Sequence, residues 1–368
     1  MDPLTHMALG ASLAMVLSPR PRRRAAALGG AIAGLLPDAD IFIRSAHDPL
    51  LAIEYHRHFT HSLLFQPVVA AVAWMLVVGL QRVFLGPGRP GAPYVPLVVA
   101  AISHPLCDGW TSYGTRLWWP FSPERVAWDW TSVIDPILTL PLILLCVWGI
   151  RRRSWWMPAA GLAWVSVYLV LAVGQGRRAT EALQAHLEQQ GVQVERLSVR
   201  PSFGNILVWR GVWQDSAKGR AQLHCAAIRA GRTMEITPGE SAPAVDLQGD
   251  PQLAAWAPPG STLRRDLERF AHFSADWLVW EPGHPGVIGD ARYSMAPTEL
   301  DPLWGIGVSD RTPDAHAEFL TFREGSSQRL RTLWRLIVGG AAPGGGASDS
   351  VQIPSKHPWN LPSNRPSK

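Results

Sequence analysis

The sequence predicts an α-helical membrane bundle of about six apolar helices followed by a small α+β domain. Two contrasting halves of the composition support this fold class. Up to residue 176 the chain contains thirteen arginines, no lysine and nine acidic residues, set among runs of Leu, Val, Ala and Trp. Beyond that point 21 basic and 20 acidic residues are spread evenly, as in a water-soluble domain. We therefore expect a helical membrane domain at residues 1–176 and a soluble α+β domain at residues 177–338.

Six apolar runs in the first domain are predicted to form helices, because proline, arginine or acidic residues bound each of them. They cover residues 3–18, 25–36, 62–85, 94–107, 135–150 and 154–175. A perpendicular span needs roughly 20 apolar residues, and only some of these runs provide them. The first, second and fourth runs are short, so the sequence leaves open whether they cross a membrane fully.

The second domain begins with a predicted amphipathic helix at residues 177–190, and a further helix is predicted at residues 261–273. Several other runs have the β-branched and aromatic content of strands. These are residues 192–199, 206–213, 221–230, 277–280, 287–295, 303–308 and 317–322. From residue 339 onward the chain is rich in Gly, Pro, Ser and Asn, which predicts a disordered tail at residues 339–368.

Charge and cysteine content argue against a nucleic-acid partner, a disulfide framework and a thiolate zinc site. The net charge of +5 is carried mostly by the apolar half, where arginines anchor loops against lipid headgroups. Because no basic patch with interleaved aromatic residues occurs, we expect no nucleic-acid partner. The three cysteines form no Cys-x-x-Cys pair, which argues against a disulfide framework and against a thiolate zinc site.

Acidic residues and arginines of the first domain sort to opposite ends of the predicted helices. If the six runs alternate across a membrane, all nine acids fall at one end. Nine of the thirteen arginines fall at the other end, in the turns 18–24, 82–92 and 151–153. Short cytoplasmic loops are enriched in Arg and Lys, so the acidic end and the second domain are predicted to be periplasmic. The histidines that join the acidic end are His6, His56, His61 and His104.

This convergence of histidines and acids predicts a divalent metal site. Divalent metals bind neutral imidazole and ionised carboxylate, and a catalytic site leaves one position for water. Asp38 and Asp40 would repel each other in a low-dielectric pocket unless a cation lay between them. We expect one or two ions, with zinc preferred, and the candidate ligands are His6, Asp38, Asp40, His61, His104 and Asp108. The alternative is a structural ion-pair network with Arg44, Arg57, Arg116 and Arg125.

Two further residues are candidates for catalytic roles. His56 could be a ligand or a general acid or base, and Asp135 could orient a ligand histidine. His104 and Asp108 are one turn apart on a predicted helix, so their side chains should share a face. Other histidines are interpreted as structural or exposed, namely His47, His58, His186, His224, His272, His284, His316 and His357.

Several short motifs resemble, in order, the family of inner-membrane-associated metal-dependent hydrolases, also described as LexA-binding. They are Asp2-Pro-Leu-Thr-His6, Leu36-Pro-Asp38-Ala-Asp40, His56-Arg-His-Phe-Thr-His61, His104-Pro-Leu-Cys-Asp108, Tyr113-Gly-Thr115, Trp119-Pro-Phe-Ser122 and Asp135-Pro136. Residues 201–207 and 289–294 resemble the longer members. One departure is His58, where the family usually has a small residue. The resemblance implies a multi-pass inner-membrane protein and a metal-dependent hydrolase.

The predicted function is hydrolysis of an ester or phosphoester by a metal-activated water. A lipid or lipid-linked substrate is expected, because apolar helices and the Trp-rich loop 109–132 surround the predicted site. The alternative is a non-enzymatic membrane regulator or scaffold whose second domain binds a protein partner. A transporter is disfavoured because the acids gather at one face of the membrane and not at its middle.

Overall fold

The computed structural model describes residues 1–86, 91–216, 219–309, 312–322, 326–339 and 349–351. The helices are α1 (Pro3–Val16), α2 (Arg23–Leu35), α3 (Leu51–Tyr55), α4 (Gln66–Leu85), α5 (Tyr94–Gly109), α6 (Pro136–Arg152), α7 (Trp156–Gln189), α8 (Pro251–Trp256), α9 (Thr262–Phe273) and α10 (Ser326–Val338). Short 3-10 helices lie at Arg20–Arg22, Leu36–Phe42, Phe59–His61 and Leu63–Phe65. The strands are β1 (Val194–Pro201), β2 (Val208–Asp215), β3 (Gln222–Ala230), β4 (Met234–Pro243), β5 (Leu278–Trp280), β6 (Val287–Asp290), β7 (Trp304–Gly307), β8 (Glu318–Thr321) and β9 (Asp349–Val351).

The described part of the first domain contains three helical segments long and apolar enough to cross a membrane. They are Arg20–Phe42, Leu63–Phe84 and Trp156–Gln189. The predicted membrane bundle of about six apolar helices is therefore not supported. The physical reason is length: α1, α5 and α6 have 14, 16 and 17 residues. At 1.5 Å per residue, each is shorter than the roughly 30 Å hydrocarbon core of a bilayer.

The outer faces of these helices carry exposed apolar side chains. Val83 is 78% exposed, Val170 73% and Leu144 67%. A surface of this kind is unfavourable in water, whereas lipid tails solvate it without cost. The inner faces form the core of the helical region, so this region is built to contact lipid on its outside.

Glycines let α1 and α2 pack unusually close together. A Cβ atom added at Gly30 would lie 2.3 Å from the backbone oxygen of Gly10, and one at Gly34 would lie 2.4 Å from that of His6. Small residues four apart are a common way for membrane helices to bring their backbones into contact. The close approach places the beginning of α1 beside the end of α2, where the candidate ligands lie.

One continuous helix, α7, links the two domains. It runs through the predicted boundary at residue 176, because the apolar run 154–175 and the amphipathic run 177–190 join without a break. The later part of α7 packs on the first sheet, with Leu183 and Trp209 both fully buried in one shared core. The helical region and the first sheet are therefore connected by a common hydrophobic core and not by a flexible linker.

The second domain consists of two antiparallel sheets with helices packed beside them. The first sheet has the strand order β1-β2-β3-β4-β9 and the second has the order β5-β6-β7-β8. Each predicted strand overlaps an observed one. The sequence patterns did not predict β4, α8, α10 or β9. In β4 the sequence contains Pro, Gly and Glu, and pairing with β3 holds these residues in extended conformation.

The second domain contacts the first next to the acidic end of the helices. Arg269 of α9 binds the carboxylates of Asp48 at 3.0 Å and Glu54 at 2.7 Å. The hydroxyl of Tyr293 donates a hydrogen bond to the backbone oxygen of Ser112. In the segment 339–368, which was predicted to be a disordered tail, β9 pairs with β4. Residues 340–348 and 352–368 of this segment lie outside the described residues.

Candidate metal centre

Asp38, His61, His104 and Asp108 form a compact and largely buried group. Asp38 comes from the 3-10 helix that follows α2, His61 ends the 3-10 helix Phe59–His61, and the other two lie on α5. His61, His104 and Asp108 are fully buried, whereas 19% of the Asp38 side chain is exposed. The group is therefore shielded on most sides and open to solvent near Asp38.

One ligand atom from each of these four side chains lies within 4.8 Å of the other three. His61 Nε2 is 2.9 Å from His104 Nε2, 3.2 Å from Asp108 Oδ2 and 3.6 Å from Asp38 Oδ1. His104 Nε2 is 3.4 Å from Asp108 Oδ2 and 3.5 Å from Asp38 Oδ1. As the spacing predicted, His104 and Asp108 share one face of α5.

These distances fit a small divalent ion. Tetrahedral zinc with ligand bonds of about 2.0–2.1 Å has ligand atoms about 3.3 Å apart, which lies within the observed range. Asp108 Oδ2 is buried, and among the described residues it faces the ring nitrogens His61 Nε2 at 3.2 Å and His104 Nε2 at 3.4 Å, whereas Oδ1 has other partners. A cation would stabilise a buried carboxylate oxygen that faces two imidazole nitrogens. The four residues could therefore hold a metal ion.

Hydrogen bonds orient both histidines of the group. His104 Nδ1 donates to the backbone oxygen of Gly34 at 2.6 Å, so Nε2 is the nitrogen that a neutral ring would offer to a metal. His61 Nδ1 lies 3.2 Å from Asp40 Oδ2 and 3.0 Å from the hydroxyl of Thr60. A carboxylate or carbonyl behind a ligand histidine is the usual arrangement at protein metal sites.

The charge balance of the group also favours a cation. Burial opposes a positive charge on His61, but hydrogen bonds to Asp108, Asp38 and Asp40 raise the pKa of His61 to about 10. The carboxylates therefore stabilise positive charge strongly at this position. A divalent ion would meet the same demand with a greater charge.

Asp40 and His6, which the sequence analysis counted among the ligands, lie outside the group. Asp40 is 3% exposed and accepts hydrogen bonds from the Arg57 backbone N–H at 2.8 Å and from the Thr60 hydroxyl at 3.1 Å. Its Oδ1 atom lies 3.0 Å from His56 Nδ1. The structure thus places Asp40 between His61 and His56, where it fixes the orientation of both rings.

His6 lies against the back of the group. Its ring stacks on His104 with centroids 3.7 Å apart, and its Nε2 lies 3.2 Å from Asp108 Oδ1. The same Oδ1 atom is bound by Arg57 Nη2 at 3.1 Å and by the amino group of Met1. Asp108 therefore uses Oδ1 for protein contacts and presents Oδ2 to the other three ligands.

Asp135, His58 and His47 lie apart from the group. Asp135 caps α6, accepting hydrogen bonds from the Ile137 and Leu138 backbone N–H groups and from the Tyr168 hydroxyl at 2.6 Å. The described residues show no hydrogen bond between Asp135 and a histidine of the group. His58 is partly buried against Arg116, with Nη1 and Nε2 2.9 Å apart, and His47 is exposed.

Arg57 and Gly34 contribute to the centre, although sequence reasoning did not assign them these roles. Arg57 was considered only as part of an alternative ion-pair network, and it does bind Asp108. In the sequence, Arg57 lies between His56 and His58 of one motif, and this position could have indicated its role. The contribution of Gly34 is a backbone carbonyl, for which the sequence gives no signal.

A second acidic group has a different explanation. Asp48, Asp266 and His316 also lie close enough to hold a metal. However, the guanidinium of Arg269 binds both carboxylates at 3.0 Å. Because this cation already neutralises the group, we interpret it as an ion-pair network between the domains.

Comparison with known proteins assigns the chain to a family. A family model described as YdjM inner membrane protein matches residues 1–179, which include the whole candidate metal centre. The chain is also 31% identical over 132 residues to inner membrane protein YbcI of Escherichia coli (strain K12), covering 35% of this chain and 73% of YbcI. No solved structure matches the chain significantly. The resemblance found in the sequence motifs is confirmed: the chain belongs to the YdjM inner membrane protein family.

Proposed function

We propose that the protein is a membrane-bound, metal-dependent hydrolase that cleaves an ester or phosphoester bond in a lipid or lipid-linked substrate. The convergence of Asp38, His61, His104 and Asp108 at one buried point carries this proposal. Metal-dependent hydrolases use such a mixed histidine and carboxylate set with one side open to water. Here the open side is at Asp38, and the ring of His56, which is also partly exposed, lies with its centroid 6.2 Å from that of His61.

The four residues are the ligands that we assign to a divalent metal, with zinc preferred. A metal in such a site lowers the pKa of a water molecule and polarises the bond that is attacked. The surrounding residues keep the ligands in the required form: Asp40 and the Gly34 carbonyl orient the two histidines, and Arg57 favours ionised Asp108.

His56 is our candidate for proton transfer. Its Nδ1 atom is held by Asp40 at 3.0 Å, so Nε2 is the nitrogen left to exchange a proton with a substrate or water. The side chain is 27% exposed, and its ring centroid is 6.2 Å from that of His61. His56 therefore lies beside the ligand group without belonging to it.

Exposed apolar residues on the 3-10 helix of Asp38 and on the Trp-rich loop support a lipid substrate. Phe42 is 81% exposed and follows the aspartates on the same 3-10 helix, and Phe121 is 83% exposed on the Trp-rich loop. Trp118 on that loop is also exposed. Aromatic side chains of this kind favour the headgroup region of a bilayer.

Metal analysis of the detergent-purified protein tests the proposal. Asp38→Ala, His61→Ala and His104→Ala should each lower the bound metal, whereas the matched His47→Ala and His224→Ala variants should retain it. The wild-type protein should also hydrolyse 4-nitrophenyl phosphate or 4-nitrophenyl butyrate, and a chelator should abolish this activity. A protein with no bound metal and no response to the chelator would instead support the scaffold alternative.

A further inference from the structure

A cavity between the two domains lies beside the candidate metal centre. Its volume is about 60 Å³. This is enough for about four water molecules at roughly 15 Å³ each. Three arginines line it, Arg116 and Arg125 from the loop after α5 and Arg269 from α9, together with Glu54 and Phe273. The cavity therefore has three guanidinium groups and one carboxylate among its described lining residues, beside the apolar Leu50, Ile53 and Phe273.

Two of these arginines have no carboxylate partner within the part of the chain that the structure describes. Arg269 is bound by Asp48, Glu54 and Asp266. In contrast, the described residues provide no ion pair for Arg116 or Arg125. Arg116 Nη1 lies 2.9 Å from His58 Nε2, and Arg125 Nη2 donates to the Gly114 backbone oxygen at 3.1 Å.

The unpaired guanidinium groups are held in an unfavourable environment. The Nε atom of each is buried without a hydrogen-bond partner among the described residues. Burial lowers the pKa of Arg125 to about 10, and the nearby charges of Arg57 and Arg116 act in the same direction. The Tyr113 and Phe273 rings, each 5.3 Å from the Arg125 guanidinium, offset part of this cost. An anion in the cavity would remove much of the remaining cost of burying these two charges.

Tyr113 connects the cavity with the metal centre. The guanidinium of Arg57 lies 5.0 Å from the Tyr113 ring, and the His56 ring lies 5.3 Å from it. Arg57 in turn binds Asp108, and His56 contacts Asp40. A molecule bound at Arg125 is thus separated from the candidate proton-transfer residue by one aromatic ring.

We propose that Arg116 and Arg125 bind the phosphoryl group of an anionic phosphoester substrate. Planar guanidinium groups match phosphate oxygens with two parallel hydrogen bonds, and their Nε and Nη atoms here lack carboxylate partners. The identification of this anion as part of a substrate rests on the proposed hydrolase function. Binding of the anion itself does not require that function.

Calorimetric titration of the full chain in detergent with inorganic phosphate tests the proposal. The protein is first treated with a chelator, so that no metal contributes to phosphate binding. Arg116→Gln and Arg125→Gln should each weaken binding by about tenfold or more. Arg44→Gln is the matched control. Arg44 is exposed at the acidic end of the helices, and its Nε donates a hydrogen bond to the Ile41 backbone oxygen. Wild-type affinity in both pocket variants, or an equal loss in the control, would overturn the proposal.

A conservative variant guards against loss of fold. Arg125→Lys keeps the charge but loses the forked geometry, so it should bind phosphate more weakly than wild type and more tightly than Arg125→Gln. Thermal unfolding of all variants shows whether the fold is retained. If Arg125→Lys binds as weakly as Arg125→Gln while both remain folded, geometry dominates and the arginine assignment stands. If a folded Arg125→Lys binds as tightly as wild type, forked recognition is wrong.

Two ligands distinguish the source of the phosphate. Micelles containing phosphatidic acid present it on a lipid, whereas inorganic phosphate is free in solution. Arginine-dependent binding of either ligand supports the proposal, the tighter one identifying the source, and binding of neither overturns it. If phosphate binds but the protein holds no metal and hydrolyses no probe, the anion site stands and the hydrolase function fails. If hydrolysis is metal-dependent but neither phosphate ligand binds, the hydrolase function stands and the anion site fails.

Discussion

Asp38 and Asp40 are two residues apart, yet the fold gives them different surroundings. The Asp38 carboxylate faces His61 and His104, whereas that of Asp40 lies among the Arg57 backbone N–H, Thr60 and His56. Both carboxylates are near His61, but on opposite ring nitrogens. The structure therefore separates a candidate metal ligand, Asp38, from a residue that orients one, Asp40.

This separation predicts unequal effects of removing the two charges. Asp38→Asn should remove a ligand and reduce metal occupancy most strongly. Asp40→Asn should weaken metal affinity by about 10–100-fold, because it disturbs a residue that orients a ligand. Competition titration with a chromophoric chelator measures both affinities, and Glu124→Gln, an exposed change at the same end, is the control. Wild-type affinity in Asp40→Asn would contradict the assigned role.

At the scale of elements, the centre depends on how closely α1 and α2 approach each other. Gly34 lies against α1 through its Cα, and its carbonyl oxygen accepts the hydrogen bond from His104. Since backbone atoms of the two helices meet at Gly10 and Gly30, a side chain at either position would push the helices apart. Helix packing and ligand orientation are thus coupled through the same short segment.

Alanine substitutions at these glycines should therefore have two distinct effects. Gly30→Ala should destabilise the protein by about 1–3 kcal/mol through overpacking. Gly34→Ala should do the same and also weaken metal binding, because it shifts the carbonyl that holds His104. Gly79→Ala is the control, because a Cβ atom there meets nothing within 4 Å. Thermal unfolding in detergent measures stability, and equal stability of all three variants would show that the helices can separate freely.

At the scale of the whole molecule, ion pairs of Arg269 help to hold the second domain against the loop that precedes the histidine motif. Partial burial opposes the charge of Asp48, but the hydrogen bond and charge of Arg269 together lower the pKa of Asp48. A carboxyl whose pKa is lowered on folding adds stability above its unfolded value of about 3.9. That contribution is lost as the pH falls through the lowered folded value.

The contact between the domains should therefore weaken in acid. Arg269→Gln should lower the thermal stability of the protein at pH 7. The difference from wild type should begin to narrow as the pH falls below about 3.9, where the Asp48 carboxyl of the unfolded chain becomes protonated, and the Asp48 contribution is lost as the pH falls through the lowered pKa of the folded protein. Arg264→Gln, which removes an ion pair with Glu268 within α9 itself, is the matched control. A difference that stays constant between pH 7 and pH 3 would show that these ion pairs do not account for it.

The orientation in the membrane is a further prediction at this scale. Arg23 and Arg24 bind backbone oxygens of residues 150–153, so two arginine-rich turns meet at the end opposite the candidate centre. We expect that end to be cytoplasmic and the centre and second domain to be periplasmic. Alkaline phosphatase, which is active only when exported, should be active when fused after residue 176 and inactive when fused within 151–153. The reverse pattern would invert the orientation.

The sequence by itself determined the local features of this protein. Helical spacing placed His104 and Asp108 on one face, and strand-like runs located most strands of the second domain. The tertiary structure decided the remainder, because local patterns do not specify which distant side chains meet. Only the packing of α2 and α5 brought Asp38 to the two histidines and left Asp40 behind His61. Likewise, the folded chain decided that α7 continues without a break through residue 176, because its packing on the first sheet joins two runs that composition separates. The shortness of α1, α5 and α6, in contrast, was already visible in the lengths of their apolar runs.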